Sequence, residues 1–262
     1  MPVLPLPFDP LDLSALLLQF FLPFFRLAAF FMAAPIFADN FVPTRVRLLL
    51  SLAVAMVLFP VLPPLPAIDP FSLSLFVVVA EQLFIGFALG FFAQLFFHIF
   101  IMAGHMVAMQ MGLGFSSMVD PSNGVSVVVV SQIYVLLVAL LFLAFDGHLV
   151  LIEVMVEGFS LLPIAATPFD QGVSRTLVLA AGWMMASALL LALPAVAAIL
   201  IVNFAFGVMT RSAPQLNIFS LGFPFTLLFG LFILWASLAG FLPQYRDLSE
   251  QAFRSLRLLL AA

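Results

Sequence analysis

A chain of 262 residues with 65% hydrophobic and only 8% charged side chains cannot cover itself with polar surface, since a soluble domain keeps about a quarter of its residues charged. Its mean hydropathy of +1.30 means that lipid or other membrane protein must meet that surface. The net charge is −4, the eight basic residues are all Arg, and cysteine is missing, which excludes a nucleic-acid footprint, a disulfide framework and any thiolate site.

Met1 to Leu13 carries four prolines and two aspartates but no basic residue. A secretory signal needs a positive region before its apolar core, so the first apolar stretch is expected to stay in the mature protein. Crossing about 30 Å of hydrocarbon takes about 20 apolar residues as helix. The first such run extends from about Asp12 to Phe37, and the second from about Thr44 to Leu62, where Pro60, Pro63, Pro64 and Pro66 stop it. The third, Phe71 to about Met111, holds no proline and as one helix would measure about 60 Å, twice the hydrocarbon thickness. Either it extends beyond the bilayer into a larger assembly, or it is two helices broken at a glycine.

The fourth run is Val125 to Phe145, closed by the turn Asp146-Gly147. His148 to Ala166 is apolar but interrupted by Glu153 and Glu157, and is not counted among the main helices. The fifth, Ser174 to Met209, is also too long for the bilayer, and Pro194 should kink it. Arg211 to Pro214 marks a turn before the sixth run, Leu216 to Leu242. Gln244 to Ala262 alternates Arg246, Arg254 and Arg257 with leucines and reads as a separate amphipathic surface helix. The fold class is therefore all-α: a polytopic membrane protein of about six long, kinked hydrophobic helices. Basic residues are nearly balanced between alternate loops, so the positive-inside rule does not orient it.

Few residues can carry chemistry. Arg26 lies inside the first run beside Pro23; a central Arg costs about 2.5–3.5 kcal/mol on insertion scales and must face protein or water. The plain reading is a bond to a carbonyl that Pro23 frees, and the functional one a transport role. Glu81 reads as a packing residue or a proton relay. Gln94, His98 and His105 fall within about 40° on one helix face, but the histidines stand about 10.5 Å apart along the axis, too far to share one ion. Gly86 and Gly90 form GxxxG, a close-packing pattern. Glu153 and Glu157 share a helix face, solvated or, with His148, enzymatic.

The stretch Met109-Gln110-Met111-Gly112-Leu113-Gly114-Phe115-Ser116-Ser117-Met118-Val119-Asp120-Pro121 is the most unusual. A phosphate loop is excluded because no Lys follows and no strand precedes it. Flexible Met side chains re-pack readily, and Gly-x-Gly opens backbone angles closed to other residues. The stretch is either an ordinary interhelical loop or a plug able to move aside.

Four segments, in order and covering nearly the whole chain, resemble the FliR family of bacterial flagellar biosynthesis proteins, whose counterparts serve type III secretion in virulence systems. They are Phe24-Phe25-Arg26 through Ala34-Pro35-Ile36-Phe37 to Val42-Pro43-Thr44-Arg45-Val46-Arg47; Gly112-Leu113-Gly114-Phe115 through Asp120-Pro121; Phe145-Asp146-Gly147-His148-Leu149 with Leu162-Pro163-Ile164; and Ala213-Pro214-Gln215-Leu216-Asn217-Ile218-Phe219-Ser220-Leu221-Gly222-Phe223-Pro224. The match to the flagellar branch is the closer. The resemblance implies a non-enzymatic subunit, without cofactor or metal, of a helical cone-like export gate in the inner membrane at the flagellar basal body. One copy would assemble with several copies of FliP and FliQ, and unfolded flagellar proteins would pass through the channel. It implies a FliP-like portion over residues 1–166 and a FliQ-like hairpin over 167–262. Met109 to Pro121 matches the family's plug, with Gly112 and Gly114 supplying mobility and Phe115 and Met118 bulk. Arg211, Pro214, Gln215, Leu216 and Asn217 match its cytoplasmic-side loop, where FlhB is expected. The family's methionine ring comes mainly from FliP and is not carried over to Met102, Met106 or Met109. The alternatives are a secondary transporter of a small solute using Arg26, Glu81, His98 and His105, and an intramembrane enzyme using His148, Glu153 and Glu157.

Overall fold

The computed structural model describes residues 10–39, 42–62, 72–113, 128–164, 171–212 and 222–260. Among them every regular element is an α-helix: α1 Pro10–Ala33, α2 Thr44–Leu58, α3 Leu73–Gln110, α4 Val129–Ala144, α5 Gly147–Leu161, α6 Gln171–Ser212 and α7 Phe223–Leu260. Four of these are long and apolar enough to cross a membrane, or five if α4 and α5 count as one interrupted span.

The elements differ from the sequence reading at α1, α5 and α7, each for a physical reason. The first helix stops at Ala33 instead of Phe37, because Pro35 disfavours helical backbone at Ala34 and Ile36 takes a positive φ of 68°. The third run, as the first of its two readings had it, is one helix of 38 residues, about 57 Å long, and no glycine breaks it. The segment discounted for its glutamates is a full helix, α5, since Glu is a good helix former and interrupts only apolarity. The supposed separate tail is the end of α7, which runs through Pro243 to Leu260. One proline removes one backbone bond, while Ala252, Leu256, Leu259 and Leu260, spaced for one face, are all buried.

The chain forms two compact units, each discontinuous in sequence. The first comprises residues 1–94, 147–178 and 254–262. Its core is made where α1 meets α3 almost without side chains between them. A Cβ on Gly86 would run into the Arg26 carbonyl oxygen, and one on Gly90 would lie 2.7 Å from the Phe30 carbonyl oxygen. GxxxG thus brings two backbones together, and Leu22, Leu27, Phe30, Phe31 and Leu89 close around the contact. At the end of α7, Leu260 packs on Gly158 of α5. Arg257 there bridges Glu157 at 3.2 Å and Glu153 at 3.8 Å on an exposed face.

The second unit comprises residues 95–146 and 179–253. Its core is aromatic: Phe97 meets Phe142, Tyr134 meets Phe241 and Phe96 meets Tyr245, with ring centroids 5.3, 5.4 and 5.7 Å apart in edge-on geometry. Gly104 lets α4 approach α3, since a Cβ there would lie 2.8 Å from the Ser131 Cα. The Ser131 hydroxyl donates to the Ile101 carbonyl at 3.1 Å. Little of α7 is covered: 17% of its most apolar window is buried, against 44% for α3. The remainder offers apolar surface to lipid or to other membrane protein.

Candidate functional site

In the first unit Arg26 is fully buried. Its Nε donates to Gln82 Oε1 at 2.7 Å, and its two terminal nitrogens donate to the carbonyls of Gly158 at 3.0 Å and Leu162 at 2.9 Å. The guanidinium also lies 4.5 Å from the centre of the Phe159 ring. Arg26 therefore reaches the end of α5 rather than a carbonyl freed by Pro23. The end of a helix is where carbonyls lack intrahelical partners and the helix dipole is negative, so a cation is stabilised there without a carboxylate. The ring face adds a cation–π contribution. A planar fork with several donors ties α1, α3 and α5 at one point, which a lysine could not do.

The acceptor on α3 is Gln82, not its neighbour Glu81, which is half-buried. Consecutive helical residues point about 100° apart, so the two side chains leave α3 in different directions. Gln94 and His98 are half-buried and His105 is exposed along α3. Among the described residues no three acidic, histidine or cysteine side chains gather as a metal site. Glu153 and Glu157 are engaged by Arg257.

In the second unit the geometry converges on the end of α3, where the unusual stretch begins. Met109 to Leu113 are described; Gly114, Phe115, Ser116, Ser117, Met118, Val119, Asp120 and Pro121 lie outside the described residues. Gly112 has φ 85°, a left-handed conformation that costs a residue with a Cβ. Its N–H donates to the Met109 carbonyl at 3.1 Å, and that of Leu113 to the Ala108 carbonyl at 3.0 Å. This pair of bonds is the Schellman closure of a helix. Gly112, expected to supply mobility, is the residue that ends α3.

Three side chains of α6 and α7 hold this end. Phe223 lies against Gly112, and the fully buried Met111 side chain packs on Gly230, where a Cβ would come within 2.5 Å of it. Asn203 donates from Nδ2 to the Gln110 carbonyl at 3.3 Å and accepts at Oδ1 from the Thr226 hydroxyl at 2.9 Å. Beside these contacts lies a cavity of about 630 Å³, lined by Met109 to Gly112, Asn203, Phe206, Gly207, Gly222, Phe223 and Thr226. Sequence reasoning missed Asn203 and Thr226. The only available signal was that Asn203 is an isolated amide in the run Ile199-Leu200-Ile201-Val202-Asn203-Phe204.

Arg211 is exposed in the last turn of α6, where a cation suits the helix dipole. The other residues of that expected partner loop, Pro214, Gln215, Leu216 and Asn217, lie outside the described residues.

Comparison with known proteins bears on the chain as a whole. A family model described as bacterial export proteins, family 1, matches residues 17–252. The flagellar biosynthetic protein FliR of Escherichia coli (strain K12) is 37% identical over 92% of this chain and 91% of its own length. Its namesake from Pectobacterium carotovorum subsp. carotovorum is 36% identical over 98% and 96%. The one from Bacillus subtilis (strain 168) is 24% identical over 92% and 94%.

Proposed function

The chain belongs to family 1 of the bacterial export proteins, and from that premise we propose that it completes and closes the type III secretion channel through which unfolded flagellar proteins cross the inner membrane. It is a multi-pass membrane protein of the flagellar export apparatus. The observation that carries this reading is the end-to-end likeness to flagellar biosynthetic proteins, spanning the Met109–Pro121 stretch and the Arg211–Asn217 loop alike.

In the proposed assembly one copy of the chain joins several copies of FliP and FliQ. Residues 1–166 stand in for a FliP-like subunit and 167–262 for a FliQ-like hairpin. The large uncovered apolar faces of α6 and α7 support such neighbours, because helices this long exceed the hydrocarbon and must be met by protein beyond it. FlhB would contact the Arg211–Asn217 loop. The chain acts without a cofactor of its own and not as an enzyme; the work of export is supplied elsewhere in the machine.

Closure falls to Met109–Pro121. Gly112 sets where this stretch leaves α3, Gly114 supplies backbone freedom, and Phe115 and Met118 supply apolar bulk that excludes hydrated ions. Nothing favours a small-solute transporter: the buried charge it would use, Arg26, has its donors committed to Gln82, Gly158 and Leu162. The test is the conductance of the assembled gate in a planar bilayer after deletion of Gly112 to Ser117. Raised ion leak with assembly intact is expected, and conductance equal to the wild-type gate would overturn the plug assignment.

A further inference from the structure

We infer that Asn203, backed by Thr226, is the positioning residue that latches the end of α3 at Gln110, the root of the plug; this rests on the plug reading above. A helix end leaves carbonyls without intrahelical partners. In α3 the Schellman bonds engage the carbonyls of Ala108 and Met109, and the Gln110 carbonyl is met by the Asn203 amide. The amide orientation follows from its neighbours: a carbonyl on one side needs an N–H, and a hydroxyl on the other needs an acceptor. Thr226, only 6% exposed, has one proton to give, and it stands 2.9 Å from both Asn203 Oδ1 and the Gly222 carbonyl. When Thr226 turns to Gly222, Asn203 loses its support without leaving Thr226 unsatisfied.

Two further features make this contact releasable. The Asn203 to Gln110 distance of 3.3 Å is at the long, weak end for an amide bond. The cavity of about 630 Å³ on the same residues means that packing does not wedge the end of α3 from that side. A polar contact beside open space fixes a position while it is made and permits a shift once it is broken. Beside the packing of Phe223 on Gly112 and of Met111 on Gly230, the polar hold on the plug's root is thus a hydrogen-bonded pair that carries no charge.

The test uses the gate assembled with its partner subunits, its composition checked by native mass spectrometry, and reads ion leak in planar bilayers. Asn203→Ala, Asn203→Asp and Thr226→Val are each expected to raise leak about fivefold, the population shift that losing one hydrogen bond of usual net strength allows. Thr226→Ser, which keeps the hydroxyl, is expected to match wild type. The Asn203→Ala/Thr226→Val pair is expected to leak no more than Asn203→Ala alone, because both act through one contact. Ser131→Ala, which removes a different bond to α3, controls for general loosening and is expected to leave leak unchanged. Wild-type leak in Thr226→Val together with a leaky Gly112–Ser117 deletion would overturn the latch and leave the plug standing. Wild-type leak in both would overturn the two together. Equal leak in Ser131→Ala would reduce Asn203 to ordinary helix packing and also overturn the latch.

Discussion

Arg26 in the first unit and Asn203 in the second make the same kind of contact with opposite character. Each is a polar side chain in an apolar helix that donates to a carbonyl near the C-terminal end of another helix. Arg26 is fully buried, gives three bonds of 2.7 to 3.0 Å and lies over an aromatic ring. Asn203 is half-buried, gives one bond of 3.3 Å and borders a cavity. A buried charge cannot be let go, because its release would leave a cation without partners in apolar surroundings and take a charge-assisted bond from each of its three acceptors. A neutral amide beside open space can. One contact is a staple and the other a catch, and the difference follows from charge, number of bonds and the space around each.

The largest effect that tests this contrast is at the staple. Arg26→Met keeps the bulk of the side chain and removes the donors, taking from Gln82 Oε1 and the Leu162 carbonyl their guanidinium partners and leaving the Gly158 carbonyl with the Leu162 N–H alone. A loss of about 3 kcal/mol or more is expected from charge-assisted bonds. It should appear as a strong drop in the amount of chain recovered in the membrane and in assembled complex. Recovery at wild-type level would show that the staple is dispensable. Gly86→Leu attacks the same unit through its backbone contact, where any Cβ meets the Arg26 carbonyl, and should lower recovery similarly.

At the catch the expected effect is smaller and of another kind. Gly230→Ala forces the buried Met111 side chain to move, a flexible group that can give way at a cost of about 1–3 kcal/mol. Assembly should survive while ion leak rises, and a stable complex with wild-type leak would separate Met111 from gating. Smallest of all is the exposed bridge from Arg257 to Glu153 and Glu157. Arg257→Ala should cost less than about 1 kcal/mol in thermal melting of the complex, an effect that high salt removes.

These side chains also show how far the sequence could be read. A buried Arg in an apolar run had to face protein, and GxxxG had to face another helix, since both follow from the cost of charge in lipid and the size of glycine. Which helix answered could not be read, because contacts such as Arg26 to Gly158 join residues far apart in the chain. Local composition misled at two elements. Glutamates hid α5, and Pro243 hid the continuity of α7, because apolarity and helicity are different properties. The Met109–Pro121 stretch stood out by its Met and Gly content, and its first five residues carry the cap that ends α3. Asn203 and Thr226 gave no comparable signal: single polar residues in separate apolar runs have no spacing rule that pairs them.

The central claim, a single subunit built into a larger export gate, is met most directly by native mass spectrometry of this chain in detergent after co-expression with the proposed partners FliP and FliQ. One copy of the chain within a mixed complex holding several copies of each partner is the predicted result. A stable monomer or homodimer that leaves those partners unbound would contradict it.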